Sequence, residues 1–301
     1  MRRVLGRRLL GRRVLERLVQ AALISLTVFA PSVMLAQCTD RGIALQILGS
    51  GGPFGDGRAS SGYVLWVDGS SRILIDAGGG VFSRFHEAGA SIEDLQLVAL
   101  SHFHPDHAAE LPALLWPRNG TLRIAGPTGN TGFPSLTEFL DGLVGPEGVF
   151  RVLAPRFQFQ SSMIDTGAGV GEVLDESFLH VTALGVPHGD VPTLAYRVDY
   201  QGASFVFSSD QTGGNPAFVD FARGADVLVV HFAGAEYGTG PVAELHARPS
   251  VWGQIASQAE VGRLVLSHIT VNQDLEANME VLRDNYHGLL TLGQDLLCIL
   301  P

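Results

Sequence analysis

The chain has 301 residues, of which 46% are hydrophobic, enough to bury the core of one large domain. Its formal charge is −10; the first 37 residues hold seven arginines and one glutamate, a net of +6, so the remainder stands at −16. There is no lysine anywhere, which argues against a nucleic-acid binder, since such proteins present clustered Lys and Arg to phosphates.

In chain order, the basic opening comes first. Residues 18–36 are then free of charge and mostly apolar, and Ala36 precedes a polar start at Gln37. A basic segment, an apolar segment and a small residue read as an export signal over residues 1–37, with a mature domain over 38–301. The protein is then periplasmic or secreted, with no membrane attachment once the signal is cleaved. The competing reading is an uncleaved anchor, because nineteen apolar residues just span a bilayer. The two cysteines, Cys38 and Cys298, lie near the two ends of the mature chain. In an oxidising compartment they would bridge and tie the termini. Cys38 is also a lipidation candidate, against which Gln37 speaks.

Apolar runs predict strands at residues 43–48, 63–67, 73–76 and 97–101, with a helix at 81–88. A mixed middle region follows, with a helix at 136–143. Strands recur at 178–185, 194–200, 204–208 and 226–231, and helices at 251–259 and 275–285. This order fits an α/β (α+β) fold of two packed sheets covered by helices.

The most informative stretch follows the run that ends at Ser101: His102-Phe103-His104-Pro105-Asp106-His107. Side chains two apart in extended chain point the same way, so His102 and His104 can grip one metal. Pro105 keeps His104 extended. The chain then turns into a helix through Ala108 to Leu111, which leaves Asp106 and His107 at the turn to face a second metal. The donors are nitrogen and oxygen without thiolate, a set that suits two Zn2+ and also accepts Mn2+ or Fe2+. Three more polar residues end strand-like runs: His188, Asp210 and His268. Strand ends of α/β folds are where functional groups converge.

These motifs resemble those of the metallo-β-lactamase-fold superfamily, in its RNase Z-like branch. Leu48-Gly49-Ser50-Gly51-Gly52-Pro53 and Leu74-Ile75-Asp76-Ala77-Gly78 resemble the opening strands. Val186-Pro187-His188-Gly189, Phe207-Ser208-Ser209-Asp210-Gln211 and Leu264-Val265-Leu266-Ser267-His268-Ile269 resemble the later metal motifs. The resemblance implies a four-layer αββα metallo-β-lactamase sandwich. It implies that His102, His104 and His188 hold one metal, that Asp106, His107 and His268 hold the other, and that Asp210 bridges them. A hydroxide between the metals is then the nucleophile. Asp106 is also a candidate proton acceptor. His246 is the candidate acid for the leaving group, or else a structural histidine behind the ligands. Asp76 is expected to orient a ligand from behind. His231 is expected to be structural; the family often has His-Glu there, where this chain has His231-Phe232. His86, His180 and His287 are expected to lie away from the site.

The tRNA-processing members carry a long arm between the third metal motif and the bridging aspartate, whereas here His188 and Asp210 are separated by only 21 residues. The leading expectation is therefore an exported dinuclear zinc hydrolase of a small ester, phosphodiesters and sulfate esters first. Alternatives are a lactonase or β-lactamase type of hydrolase, a 3′-tRNA endonuclease, and a metal-binding protein without catalysis. Nucleic acid is not the expected partner, and a homodimer is in keeping with related enzymes. Loops 119–134, 143–148 and 233–244 are expected to set selectivity, with Phe54, Trp116, Phe133 and Tyr237 as candidate pocket walls.

Overall fold

The structure, a computed structural model, describes residues 38–176, 178–271 and 273–301. The export segment expected at 1–37 lies outside the described residues. Fourteen strands are present among them: Ile43–Gly49 (β1), Gly62–Val67 (β2), Ser70–Ile75 (β3), Leu97–Ala99 (β4), Gly120–Pro127 (β5), Phe157–Ile164 (β6), Val170–Glu176 (β7), Leu179–Val186 (β8), Thr193–Tyr200 (β9), Ala203–Phe207 (β10), Val227–His231 (β11), Arg263–Ser267 (β12), Leu289–Leu292 (β13) and Cys298–Ile299 (β14). They form two seven-stranded sheets, ordered β14-β1-β2-β3-β4-β5-β6 and β13-β12-β11-β10-β9-β8-β7. Pairing is antiparallel among β14, β1, β2 and β3 in one sheet and among β7, β8, β9 and β10 in the other, and parallel from β3 to β6 and from β10 to β13.

The layering follows from the period of two along each strand. All seven residues of β1 are buried. Ile43, Leu45 and Ile47 face the space between the sheets, where they meet Val181, Phe205, Val227 and others. Leu48, with Val64, Trp66 and Leu74, faces the opposite side and packs under helices. Strands buried on both faces need apolar residues at every position, which is why these runs are nearly continuous. The helices are Val81–Glu87 (α1), Pro105–Ala108 (α2), Leu111–Leu115 (α3), Leu136–Val144 (α4), Ala217–Phe221 (α5), Pro241–Leu245 (α6), Pro249–Gln258 (α7) and Leu275–Arg283 (α8). Phe85 of α1, Leu111 of α3 and Leu140 of α4 cover the first sheet. Phe218 of α5, Trp252 of α7 and Leu282 of α8 cover the second. The result is a four-layer αββα sandwich.

Some boundaries differ from the sequence reading, for local reasons. Pro105 stands at the first helical position, so α2 begins there and takes Asp106 and His107 into its first turn. The helix then breaks at Glu110 (φ −96, ψ 6), which joins α2 to α3 as two short pieces where one helix was expected. The carboxylate of Glu110 accepts from the Phe82 backbone N–H at 2.6 Å and so fastens that break to the start of α1. In the same way Pro249 starts α7 two residues early. Strands β6 and β7 have exposed positions alternating with partly buried ones, and so lack the apolar runs by which the other strands are recognised.

The two sheets meet at one edge. Leu194 donates its backbone N–H to Ser101 O (3.0 Å), the Tyr196 hydroxyl donates to Leu100 O (2.8 Å), and Ile269 N donates to Ser50 O (3.0 Å). The C-terminal ends of β3, β4, β8, β10, β11 and β12 lead towards this edge, and the polar residues that follow them gather there.

Candidate metal centre

The polar groups of the centre follow the ends of buried strands. His102 follows β4, His188 follows β8, Asp210 follows β10, His231 ends β11 and His268 follows β12. Asp210 lies at the centre. Its Oδ2 is 3.9 Å from His102 Nε2, 3.6 Å from His188 Nε2 and 3.4 Å from His107 Nε2. His104 Nδ1 stands 3.0 Å from His102 Nε2. On the other side, His268 Nε2 is 3.2 Å from His107 Nε2, 3.2 Å from Asp106 Oδ2 and 3.5 Å from Asp210 Oδ1. His102, His104, His188 and Asp210 thus form one set with ligand atoms close enough to share an ion. A second set comprises His107, Asp210, His231 and His268, with Asp106 against two of its members. The seven residues expected as ligands from sequence all lie within this one cluster.

The donor set fits divalent metal. His107 Nδ1 donates to Asp76 Oδ2 at 2.7 Å, so its Nε2 is the nitrogen turned towards the cluster. His188 Nδ1 donates to Leu245 O at 3.1 Å, which leaves Nε2 as a lone-pair donor; it is buried, aimed at the cluster and without a hydrogen-bond partner. A buried nitrogen without a partner is costly, and a cation among these atoms removes the cost. Asp76 is itself fixed from three sides, by Ser101 N (2.8 Å), Ser101 Oγ (2.9 Å) and Ser61 Oγ (3.2 Å). It orients His107 from behind the cluster, the arrangement by which ligands are commonly held.

The electrostatics agree with a site built for cations. Burial, reinforced by the neighbouring His107, holds His102 well below its ordinary value. Burial opposes ionisation of Asp210, yet His268, His246 and His107 outweigh it and keep the carboxyl far down. At Asp106 burial is likewise outweighed, by the hydrogen bond from His268 and the charge of His107, and the group falls to about 2. Asp106 is therefore ionised at neutral pH, the state in which a carboxylate binds metal. His246 Nε2 stands 3.8 Å from Asp210 Oδ2, and burial pushes the ring down to about 3. It is therefore neutral in the metal-free site, with Nδ1 buried and unpartnered.

His231 comes closer than the sequence suggests. Its Nδ1 lies 2.6 Å from Asp210 Oδ1. The signal available was its position at the end of a buried strand, beside His188, Asp210 and His268, which follow other strand ends. His180 is exposed and pairs with Asp175, and His86 stacks edge-on against Phe82, both away from the cluster. An open cleft of about 650 Å3 runs past His188, with Asn130, Asp165, Asp190 and Asn215 in its walls. A smaller cavity of about 180 Å3 is lined by Phe54 and by residues 233–243. Trp116 instead packs under the Arg156 guanidinium, 5.3 Å from the ring centroid, and Tyr237 is 90% exposed.

Comparison with known proteins gives a consistent result. A Beta-lactamase superfamily domain matches residues 71–269. A ribonuclease Z of Mycobacterium marinum is 27% identical over 280 residues, covering 84% of this chain and 97% of that protein. The metallo-beta-lactamase fold protein YhfI from Bacillus subtilis superposes with a TM-score of 0.68 at 20% identity, over 85% of this chain and 98% of that one. A diphosphatase of the PhnP family superposes with a TM-score of 0.61 at 17% identity, over 86% and 97%.

Proposed function

The chain belongs to the metallo-β-lactamase superfamily, in its RNase Z-like branch, and on that premise we propose that this metal-dependent hydrolase cleaves small phosphodiesters outside the cytoplasm. The observation that carries the reading is the position of Asp210, one carboxylate between two histidine sets. His102, His104 and His188 would hold one zinc, Asp106, His107 and His268 the other, and Asp210 both. Such a pair lowers the pKa of water and clamps the attacking and leaving oxygens of a displacement at a tetrahedral anionic centre.

The protein's own residues do the rest. Asp76 and the Leu245 carbonyl hold Nδ1 of His107 and of His188, so that Nε2 of each ring faces inward. Asp106 and Asp210 remain ionised and balance the cationic charge. His246, unpartnered at Nδ1, is placed to hydrogen-bond a substrate oxygen; an anionic substrate beside it would raise its proton affinity, and the ring so protonated would supply the leaving group's proton. The cleft at His188 has the volume of a small-molecule site.

Support for phosphorus chemistry comes from two of the similar proteins, a ribonuclease and a diphosphatase. Support for a small substrate rather than tRNA comes from this chain. Between His188 and Asp210 stand only β9, β10 and their short turn, and the sequence lacks lysine. The export of the protein is supported by the basic and apolar segment at 1–37 and by the Cys38–Cys298 disulfide, since such bonds persist in oxidising compartments.

The test is hydrolysis of bis-p-nitrophenyl phosphate by the zinc-loaded mature chain, with Asp210→Ala as control. Turnover that the substitution abolishes is the expected result. A fully zinc-loaded protein without turnover would reject the phosphodiester reading and bring sulfate esters, lactones and β-lactams forward.

A further inference from the structure

His231 lies close enough to His107, Asp210 and His268 to be counted as a ligand of the second metal. We infer instead that His231 is a positioning residue: with Tyr63 and Ser267 it forms a buried chain of hydrogen bonds that fixes the orientation of the shared carboxylate, Asp210. The inference rests on the metal centre described above and assigns a role to residues outside it.

The argument is one of hydrogen counting. His231 Nδ1 is 2.6 Å from Asp210 Oδ1. An ionised carboxylate oxygen brings no hydrogen, so Nδ1 carries it and donates. The lone pair of the neutral ring is then on Nε2, and Nε2 stands 3.1 Å from the Tyr63 hydroxyl. That hydroxyl has one hydrogen, which Nε2 takes. The Tyr63 hydroxyl is also 2.9 Å from Ser267 Oγ, a contact that holds the phenol in place. The chain ends on Asp210 Oδ1.

Both nitrogens of His231 are thereby committed, and neither has a lone pair to offer a metal. All four residues are at most 2% exposed, so water does not stand in for a missing partner. The His231 backbone is held as well, by His231 N donating to Ser208 Oγ (3.2 Å) and Trp252 Nε1 donating to His231 O (3.3 Å). With Oδ1 so engaged, Asp210 presents Oδ2 to His102, His107 and His188. The device mirrors the one behind His107: there a carboxylate orients a histidine ligand, here a histidine orients a carboxylate ligand.

The experiment compares wild type, His231→Leu, His231→Asn and Tyr63→Phe by zinc stoichiometry at saturating metal and by competition with a chromophoric chelator. Wild type is expected to hold two zinc ions per chain. His231→Leu should still hold two at saturation, with affinity at the weaker site lower by about 10–100-fold. His231→Asn keeps a side-chain N–H near the position of Nδ1 and should recover most of that loss. Tyr63→Phe, nearly isosteric, should shift affinity in the same direction by a smaller factor. A His231→Leu protein that saturates at one zinc, or that binds both as tightly as wild type, would overturn the inference. A wild-type chain that binds no zinc would instead remove the metal-centre reading itself, a failure visible before any variant is compared.

Discussion

Asp76, Ser209 and His268 share an unusual backbone, with φ of 59, 54 and 51, in the left-handed region that favours glycine. Each follows a strand end at the metal centre, where such backbone turns a side chain out of the strand direction; strain of this kind gathers at functional sites. The buried rings beside them make stability depend on pH in a defined direction. Burial holds His231 down at about 4 and His246 at about 3, against an ordinary 6.5, and it lowers His102 and His104 in the same sense. A group depressed on folding contributes stability that is present above its unfolded value and lost as pH falls through its folded one. His107 works the other way: burial would lower it, but Asp210 and Asp76 outweigh burial and raise it well above 6.5. Four depressed rings against one raised ring give the net sign. The melting temperature of the metal-stripped protein should fall as pH is lowered from 7 towards 4. A melting temperature that is flat or rises over that interval, measured by circular dichroism, would contradict the assignment.

At the scale of elements, the ligand loop is clasped by the loop after β3. Ala77 N donates to His107 O at 2.6 Å, and Glu110 N donates to Ala77 O at 2.9 Å. The approach is so close that Gly78 has no room for a side chain: an added Cβ would lie 2.0 Å from Asp106 O and 2.7 Å from Asp106 C. Those are backbone atoms of the first turn of α2 and cannot swing aside as a side-chain tip would. Gly78→Ala should therefore displace α2 together with Asp106 and His107. The expected result is zinc affinity lowered by at least about 10-fold, the range found when the support of a ligand is disturbed, in a protein whose far-ultraviolet spectrum is unchanged. Wild-type affinity in a chelator titration would show that the loop yields without moving the ligands.

Across the whole molecule, the first and last parts of the described chain are joined twice. β14 pairs with β1, placing Cys298 opposite Gln46, and Cys298 is bonded to Cys38. Asp295 adds a polar tie, accepting from Ser50 N (3.0 Å), Ser50 Oγ (2.9 Å) and Ala59 N (2.8 Å). The disulfide spans 260 residues of sequence, a loop long enough that closing it removes considerable freedom from the unfolded chain. Protein recovered from an export compartment should begin near Cys38 and contain no free thiol. Reduction, or Cys38→Ser with Cys298→Ser, should lower unfolding stability by about 2–5 kcal/mol in urea titration. An intact basic N-terminus on the exported protein would argue for retention as an anchor, and an unchanged urea midpoint would show that β14 and Asp295 alone hold the termini.

Much of this was legible in the linear chain, because two kinds of signal are local. Continuous apolar runs mark strands buried on both faces, and a polar residue after such a run marks a strand end; His102, His188, Asp210 and His268 are read in this way. The proline in His104-Pro105-Asp106 likewise starts a helix wherever it folds. The edge strands β6 and β7 were not legible, since half-exposed strands carry no continuous run. The part taken by His231 was also hidden. Its neighbours in sequence, Val230 and Phe232, are core residues, and its partners lie far off in the chain, Tyr63 in β2, Asp210 after β10 and Ser267 at the end of β12. The sequence by itself determined which residues end the strands and which metal chemistry their donors suit. Only the tertiary structure decided which nitrogen of each ring faces inward, because a tautomer is set by the hydrogen-bond partner, and that partner arrives from a distant part of the chain.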